Sequence, residues 1–438
     1  MRAKHHTRCR VCGAPDPVPV IDLGEQYLQG AFVKPGMPAP TLEKFPTRLV
    51  RCDASKVDAG CGLVQLSHTV PPTLLFSNYW YRSGVNQTMR RHLRGIAEAA
   101  MRHMGEGGAR VLDIGCNDGT LLHSYPERFE RWGVDPSDIA LEVREPVRVV
   151  NSLFPSDAVD DVVGEKRFDI ITSIAMFYDL EDPVGFARGV RKLLADEGLW
   201  IVEMSYLPLM LRQNAFDTIC HEHLEYYSLG VLERIAELAG LAAFRAEING
   251  INGGSLRLFL ARADSARTRT AARDSEGRLA ELRRREGELA LNTGGPYREF
   301  RTRVERVRED LLSAIEERRR AHRPLHVYGA STKGNVLLQW CGLTREHIRC
   351  AADRNPAKHG ARTLGTDIPI VSEDESRSSR PDYLVLPWHF KAEFLERERE
   401  TILGGSAMIF PLPEVSIVTA ENLDAETALA RSEDLLRI

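Results

Sequence analysis

The sequence has no long apolar run. Among its 438 residues, no stretch approaches the ~20 consecutive apolar residues that a helix needs to cross a bilayer. The first residues, MRAKHHTRCRVCG, also lack the apolar centre of a secretory signal. We therefore expect no membrane partner and a cytoplasmic location.

Neither sign of charge predominates in the sequence. The chain carries 58 Lys and Arg against 62 Asp and Glu, a net charge of -4, which argues against a nucleic-acid partner. Eight cysteines are too few for a disulfide scaffold in a chain of this length, so a reducing compartment is the simplest interpretation. The length exceeds what one ordinary hydrophobic core organises and predicts roughly two to four domains.

Composition and pattern change along the chain and divide it into four parts. Residues 1–75 are rich in Pro, Gly and Cys, which predicts a small domain of turns and short strands. Residues 76–262 and 323–438 alternate apolar strands with helical patterns, as is typical of α/β domains with mostly parallel sheets. Residues 263–322 are dense in Arg and Glu, and we expect solvated connecting helices held by pairs four residues apart.

Four cysteines near the start have the spacing of a zinc site. Cys9 and Cys12 form a C-x-x-C pair, and Cys52 and Cys61 can complete a tetrahedral thiolate site. Such a site leaves no open position for chemistry, so the zinc would be structural, and a small domain with few apolar residues needs it to fold. A redox C-x-x-C pair or unpaired cysteines are the alternatives.

The stretch ARVLDIGCNDGTLL has the strongest chemical signal, an apolar strand running into a glycine loop and a helix. Its D-x-G-x-x-x-G pattern differs from the dinucleotide pattern G-x-G-x-x-G, because acids fill the gap between the glycines. We therefore favour S-adenosylmethionine as the cofactor over NAD or a simple chain turn. The expected cofactor-binding residues are Asp113, Gly115, Asn117, Asp118, Gly119, Asp135 and Pro136.

The stretch FDTICHEHLEYYS places His221 and His223 on either side of Glu222. A zincin site needs H-E-x-x-H, with both imidazoles on one helical face, so this spacing does not favour metal binding. A buried, satisfied polar cluster is one interpretation. The functional interpretation is a general base, because imidazole titrates near neutral pH and a neighbouring carboxylate can orient it.

A second strand, glycine loop and helix begin at HVYGASTKGNVLLQ. Backbone amides at a helix N-terminus, together with a lysine and hydroxyl groups, predict a cradle for the diphosphate of a nucleotide substrate. A scaffold without ligand and a bound NAD are the alternatives. The residues concerned are Ser331, Thr332, Lys333 and Asn335.

The stretches HVYGASTKGN, NGGSLR and FDTICHEHLEYYS, after a cysteine-rich start, resemble the three-domain, zinc-containing sugar C-methyltransferases of deoxysugar biosynthesis. The resemblance implies an α/β fold in which a small N-terminal zinc domain and a C-terminal Rossmann-like domain flank a central class I methyltransferase domain. It implies S-adenosylmethionine as methyl donor and a nucleotide-linked 4-keto sugar as acceptor, in the biosynthesis of secondary metabolites such as antibiotics. It also favours a monomer.

The resemblance assigns roles to residues as well. In this family a histidine removes the proton on the carbon next to the ketone, and the resulting enolate attacks the methyl group. The matching position is His223, whereas Tyr79, Tyr81 or His221 would stabilise the enolate oxygen. Glu222 is expected beside the base as a further catalytic residue, and Tyr226 and Asn252 are expected to bind the substrate.

One position departs from the family. Cys220 stands where those enzymes carry a tyrosine that helps line the substrate pocket, so the resemblance does not fix the acceptor. An O-methyltransferase, or a C-methyltransferase acting on a non-sugar acceptor, is the first alternative. The second is an inert, zinc-containing binding protein, against which the acids of the first glycine loop and the histidine cluster count.

Overall fold

The computed structural model describes residues 3–53, 60–76, 82–105, 107–270 and 272–432 of the chain. Three larger β-sheets organise these residues, with four, seven and six strands. The N-terminal sheet is antiparallel, whereas the central and C-terminal sheets are mostly parallel and are covered by helices.

The N-terminal part consists of short strands. Its elements are β1 (Lys4–His5), β2 (Val18–Gln26), β3 (Phe32–Val33), β4 (Phe45–Arg51), β5 (Val64–Leu66), β6 (His68–Thr69) and α1 (Pro72–Phe76). β4 pairs with both β2 and β5, and β1 pairs with β6. One cysteine pair lies between β1 and β2 and the other between β4 and β5, so the pairing of these strands brings both pairs to one end of the part.

The central part contains the largest sheet. Its elements are α2 (Gln87–Met101), β7 (Arg110–Ile114), β8 (Glu130–Val134), β9 (Arg148–Val150), α3 (Asp157–Val163), β10 (Phe168–Ile174), α4 (Pro183–Leu193), β11 (Leu194–Ser205), α5 (Leu207–Arg212), β12 (Glu225–Tyr226), α6 (Leu229–Leu238), β13 (Leu241–Asn249) and β14 (Ser255–Arg262). The strand order is β13-β14-β11-β10-β7-β8-β9. The strands from β11 to β9 are parallel, and β14 runs antiparallel to both of its neighbours.

The direction of the parallel strands determines at which edge of this sheet a ligand would bind. β7 and β10 are almost entirely buried, and such strands are near-continuous apolar runs because helices cover both of their faces. Parallel strands all end at the same edge, and α/β sheets bind their ligands in the crevice outside those carboxyl ends.

The helix expected after the glycine loop does not form. A single 3-10 turn, Leu122–Ser124, follows the loop instead. Oδ1 of Asp118 accepts hydrogen bonds from both the N–H (3.2 Å) and the hydroxyl (2.6 Å) of Thr120, a local arrangement that competes with a helix. Pro126 then follows, and proline lacks the N–H that a continuing helix would use. The prediction of a helix here was wrong.

The connecting segment forms α7 (Ala266–Thr270), α8 (Ala272–Glu288) and α9 (Gly295–Arg320). The expected pairs four residues apart occur on the outer face, as between Arg301 and Glu305 (3.9 Å). α9 also buries an apolar face that includes Phe300, Val304 and Leu311, so this helix is solvated on one side only. None of the described helices combines the length and apolar character needed to cross a membrane.

The C-terminal part contains a second parallel sheet. Its elements are β15 (Leu325–Tyr328), α10 (Thr332–Trp340), β16 (Ala351–Ala352), β17 (Arg362–Thr363), β18 (Ile370–Val371), α11 (Glu373–Arg377), β19 (Asp382–Val385), α12 (Lys391–Arg397), α13 (Arg399–Leu403), β20 (Met408–Phe410), β21 (Ser416–Val418) and α14 (Leu423–Ser432). The strand order is β18-β16-β15-β19-β20-β21, and only β21 runs antiparallel.

The three parts are joined by pairing and by a shared core. β12 of the central part adds to the N-terminal sheet beside β5, and β17 of the C-terminal part pairs with β3. One apolar cluster contains Leu49, Phe216, Phe300 and Val327, which come from the N-terminal part, the central part, α9 and the C-terminal part. Residues 221–223, here called the HEH segment, immediately precede β12 and therefore lie where the parts meet.

Candidate active site

A cavity opens at the carboxyl ends of β7, β8 and β10. Five of the expected cofactor residues line it: Asp113, Gly115, Asn117, Asp135 and Pro136. Asp118 and Gly119 do not lie on its wall. Most of the remaining wall is apolar, with Leu93, Val134, Phe154 and Met176 among its residues.

The glycine loop lets a ligand approach the backbone closely. Gly115 has a φ of +82°, and a Cβ there would lie only 2.8 Å from Cγ of Met176. The N–H of Asn117 donates to Oδ2 of Asp135 (2.9 Å). Oδ1 of Asp135 accepts from the N–H (2.8 Å) and hydroxyl (2.5 Å) of Ser137. Asp135 thus orders the loop while its carboxyl stays at the cavity wall.

Asp118 is hydrogen-bonded to the segment before α2. Its Oδ2 accepts a hydrogen bond from the N–H of Gly84 (2.7 Å), and Oδ1 of Asn117 accepts one from the N–H of Ser83 (3.0 Å). These bonds hold the chain before α2 against the loop and place Ser83 on the cavity wall. Asp118 therefore joins the loop to this segment and does not line the cavity.

Asp113 is the buried acid of the cavity. It accepts a hydrogen bond from the hydroxyl of Thr172 (2.6 Å), and burial raises its pKa to about 7. A carboxyl in this position can bind a cationic amino group, and Asp135 at the end of the next strand can bind ribose hydroxyls. With the apolar wall, these groups fit S-adenosylmethionine, which when bound supplies a methyl group carried on a sulfonium.

One ring nitrogen of His223 is held by a backbone carbonyl. Its Nδ1 lies 2.9 Å from the carbonyl oxygen of Thr218. A carbonyl can only accept, so Nδ1 carries the proton and Nε2 keeps its lone pair. The ring packs on Tyr178, with centroids 4.3 Å apart. Burial, reinforced by the charge of Lys333, lowers the pKa of His223 to about 3, so the imidazole is neutral near pH 7.

Glu222 faces a second, larger cavity on the N-terminal side. This cleft of about 570 Å³, within the range of ligand pockets, is lined by Leu28, Gly30, Phe32, Lys34, Leu74 and Glu222, among others. A Cβ at Gly30 would collide with the Glu222 carboxyl, so glycine is what lets the two segments approach. Burial raises the pKa of Glu222 to about 7.

His221 points elsewhere. Its Nε2 lies 3.1 Å from both the carbonyl oxygen of Phe45 and the hydroxyl of Thr47. Its backbone N–H donates to Oε1 of Gln29 (3.2 Å). All three partners belong to the N-terminal part, and the side chain is buried. The structure therefore uses His221 to fasten the HEH segment and does not bring it to either cavity wall.

Two expected residues, Tyr79 and Tyr81, lie outside the described residues. On either side of them, Leu75 lines the larger cleft and Ser83 lines the cofactor cavity. Tyr226 is among the described residues and is buried. Its hydroxyl donates to the carbonyl oxygen of Thr218 (3.1 Å), which also accepts the hydrogen bond from Nδ1 of His223.

The C-terminal glycine loop comes close to His223. Nζ of Lys333 donates to the carbonyl oxygen of Asn252 (2.9 Å), and its charge lowers the pKa values of His223 and His389, after the larger effect of burial. Lys333 is thus in the electrostatic environment of His223, which its position in the sequence did not indicate.

The other residues of this loop mainly organise the backbone. Ser331 caps α10 by accepting from the N–H of Gly334 (3.1 Å). Nδ2 of Asn335 donates to the carbonyl oxygens of Gln29 (3.1 Å) and Leu364 (3.2 Å), which ties α10 to the N-terminal part. Thr332 lies beside Gly30, near Glu222.

The sequence did not single out Asp179 as a site residue. It follows β10 and lines the cofactor cavity, while the adjacent Tyr178 packs on His223. The signal that could have found it is an acid in the turn that follows β10, a strand neighbouring β7. Arg10 was also missed, although it lies between two of the cysteines.

The four cysteines fit a zinc ion. Their sulfur atoms all lie within 4.8 Å of one another, with Cys9 and Cys61, and Cys12 and Cys52, each 3.5 Å apart. Tetrahedral zinc places thiolates about 3.8 Å apart at Zn–S distances near 2.3 Å. A redox pair would need only Cys9 and Cys12, whereas the structure brings all four sulfur atoms together, as a zinc site requires.

Comparison with known proteins gives a consistent pattern. Family models match residues 9–76 as a zinc binding domain, 82–245 as a methyltransferase domain and 250–413 as a C-methyltransferase C-terminal domain. C-methyltransferase NovU of Streptomyces niveus is 31% identical over 422 residues, 94% of this chain and 97% of that protein. A ubiquinone biosynthesis O-methyltransferase of Chromobacterium violaceum is 28% identical over 162 residues, 32% of this chain and 67% of that protein.

Among solved structures, magnesium protoporphyrin IX methyltransferase of Synechocystis PCC 6803 is 13% identical, covers 42% of this chain and 90% of its own, and has a TM-score of 0.33. The similarity to NovU extends over nearly the whole of both chains, and the family models follow one another in the order in which the structure places the parts. The chain therefore belongs to the family of three-domain C-methyltransferases, as an S-adenosylmethionine-dependent enzyme with a structural zinc site.

Proposed function

We propose that the enzyme methylates the carbon next to the ketone of a nucleotide-linked 4-keto deoxysugar, as a step in secondary-metabolite biosynthesis, with His223 as the base. One observation carries the proposal: Nδ1 of His223 is fixed at 2.9 Å from the Thr218 carbonyl, which leaves the Nε2 lone pair for a proton on carbon. The likeness to a protein named C-methyltransferase supports transfer to carbon.

The position of His223 supports the same chemistry. Its sequence neighbour Glu222 lines the larger cleft, and Tyr178, which packs on its ring, is followed by Asp179 on the wall of the cofactor cavity. His223 itself lines a small pocket together with Tyr178 and Thr218, and a base there would act on an acceptor that enters from the cleft and points toward the methyl donor. Removal of the proton creates an enolate, and the enolate carbon forms the new bond to the methyl group.

The acceptor's nucleotide would occupy the cleft. The loop before α10 brings Thr332 beside Gly30, and Lys333 close to the base. Lysine, hydroxyl groups and helix amides are suited to a diphosphate, so Ser331, Thr332 and Lys333 are the proposed ligands. We also propose that Tyr226 helps to position His223, because both side chains donate to the Thr218 carbonyl. Asn252 would position Lys333, whose ammonium group donates to the Asn252 carbonyl.

A second acceptor class rests on Cys220. This side chain is fully buried, so its thiol does not reach an acceptor as the phenol of a tyrosine could. The same base and cofactor would then methylate a carbon next to the ketone of a non-sugar molecule. A cytoplasmic location and a monomeric state stay predictions.

Mass spectrometry in deuterated water tests the proposed function. Purified enzyme, S-adenosylmethionine and a panel of nucleotide-linked 4-keto sugars should give a product that has gained one methyl group, with exchange of the proton next to the ketone. His223→Asn should abolish both while S-adenosylmethionine still binds, because Asn cannot act as the base. His347→Asn changes an exposed histidine and is the matched control.

The outcomes separate the two acceptor classes. Exchange without methylation would retain the base but indicate that the correct sugar is missing. Methylation of a non-sugar ketone alone would favour the second class. Full activity of His223→Asn would disprove the assignment of the base.

A further inference from the structure

Asp179 carries a carboxyl group to which the proposed reaction assigns no role. It follows β10, and its side chain lines the cofactor cavity. Its backbone N–H donates to the carbonyl oxygen of Met176 (3.0 Å), which fixes the turn that presents it. Among the described residues its Oδ1 is buried and has no hydrogen-bond partner. A buried polar atom without a partner needs an explanation, and a ligand in the adjacent cavity can supply the missing partner.

The surroundings favour the protonated form of this group. Burial raises the pKa of Asp179 well above its ordinary value, and the nearby carboxyl groups of Glu222 and Glu225 raise it further. No cation is paired with Asp179 among the described residues, whereas Glu225 faces Arg10 at 3.5 Å. A protonated carboxyl group is a hydrogen-bond donor, and its O–H can point toward an acceptor atom in the cavity.

The reaction needs such a donor. His223 is held neutral with a low pKa, so it is a weak base and the enolate must be stabilised for the proton to leave carbon. His221, one of the residues expected to stabilise the enolate, is bonded to the N-terminal part instead. Asp179 lies on the cavity wall, next in sequence to the residue that packs on His223.

We propose that Asp179 is a catalytic residue whose carboxyl O–H donates a hydrogen bond to the carbonyl oxygen of the acceptor and stabilises the enolate. This inference rests on the proposed function. Nε2 of His223 takes the proton, the C–H electron pair forms the C=C bond, and the C=O pair moves to oxygen. Asp179 keeps its proton throughout. The enolate then re-forms C=O as its carbon bonds to the methyl group and the bond from methyl to sulfur breaks.

An ionised Asp179 would oppose this chemistry. Its charge would repel the developing enolate, and it would bind the sulfonium of the methyl donor most tightly in the ground state, before transfer. The two forms therefore differ in their effect on S-adenosylmethionine affinity. A donor to the acceptor should leave that affinity nearly unchanged when it is replaced.

Two substitutions test the role kinetically, with a sugar from the panel that the wild-type enzyme turns over. Asp179→Ala should lower kcat roughly 10²–10³-fold, the usual loss for one oxyanion donor, and leave the Kd of S-adenosylmethionine within about threefold. Asp179→Asn keeps an N–H donor and should recover part of that loss. Wild-type kcat should fall as the pH rises through the Asp179 pKa, because the ionised group cannot donate, and Asp179→Asn should lack this decline.

Infrared spectroscopy tests the inference without any acceptor. The difference spectrum between wild type and Asp179→Asn near neutral pH should contain the carbonyl band of a protonated carboxyl group. Absence of that band, or a loss of S-adenosylmethionine affinity larger than about tenfold in Asp179→Asn, would overturn the inference. Equal kcat for Asp179→Ala and wild type would do the same. If no sugar reacts, the proposed function fails while the band still decides the state of Asp179.

Discussion

Burial sets the charge of Asp113 and hence the pH at which the cofactor cavity accepts a cation. Its pKa is raised to about 7 by burial, so the carboxyl is mostly protonated below that pH. The cationic amino group of S-adenosylmethionine prefers the ionised form. We therefore expect the affinity for S-adenosylmethionine to increase from pH 6 to pH 8, roughly around pH 7, in calorimetric titrations.

Two variants separate this pH dependence from a general disruption of the glycine loop. Asp113→Asn should bind S-adenosylmethionine roughly tenfold or more weakly and lose the pH dependence, since a hydrogen bond to a charged group is removed. Asp118→Asn changes an acid of the same loop that faces Gly84, and should keep the pH dependence. A flat pH profile in the wild-type protein would contradict the assignment.

Neighbouring residues of one motif differ in ways that the sequence does not reveal. The sequence identifies the HEH segment as polar and reactive, but the free nitrogen depends on distant partners. Phe45 and Thr47 engage His221, whereas Thr218 engages only Nδ1 of His223. Such partners are set by how the parts pack, so pattern alone could not separate the two histidines. Resemblance to a family was needed to select His223.

Elements with a strong local pattern are the ones that the sequence predicts well. β7 and its glycine loop follow from an apolar run and turn residues, and the zinc cysteines follow from spacing. The prediction of a helix after the loop was wrong because the side chain of Asp118 accepts a hydrogen bond from the nearby Thr120. The burial of α9 was missed since charge density hid an apolar face, although Phe300, Val304 and Leu311 keep helical spacing.

The loop before α10 is the element that joins substrate binding to the base. We expect Lys333→Met to raise the KM of the nucleotide-linked acceptor roughly tenfold or more, as a lost hydrogen bond to a charged diphosphate would. The Kd of S-adenosylmethionine should not change, because Lys333 is not on the cofactor cavity wall. Lys192→Met removes an equal charge from α4, where the lysine pairs with Asp160, and serves as control.

Steady-state kinetics with both substrates varied gives these constants. An unchanged acceptor KM in Lys333→Met would identify the loop as a scaffold. A fall in kcat with no change in KM would indicate that the lysine acts on His223 rather than on the diphosphate.

At the scale of the whole molecule, the zinc site is connected to the chemistry through Arg10. This residue lies between Cys9 and Cys12, and its buried side chain reaches Glu225 (3.5 Å) and Glu181 (3.6 Å). Glu225 follows the HEH segment, and Glu181 follows the turn that carries Asp179. One arginine of the cysteine loop therefore contacts both chain segments that carry the proposed catalytic groups.

Loss of zinc should consequently lower catalysis more than cofactor binding. In Cys12→Ser the loop around Arg10 loses its anchor, so we expect less than one zinc per chain and a reduced kcat, with a smaller change in the Kd of S-adenosylmethionine. Arg10→Met should reproduce the fall in kcat with zinc retained. It should also lower the free energy of unfolding, because Glu225 and Glu181 lose the cation that they face.

Zinc content by plasma mass spectrometry, thermal unfolding, kcat and S-adenosylmethionine titration distinguish the contributions. Arg10→Lys keeps a charge and should be the milder variant, which guards against a variant that simply fails to fold. Arg8→Met removes a neighbouring exposed arginine, whose guanidinium donates to the Gly13 carbonyl (2.9 Å), and should behave as wild type. If Arg10→Met binds zinc and keeps full kcat, the zinc domain stabilises the fold without positioning the HEH segment or Asp179.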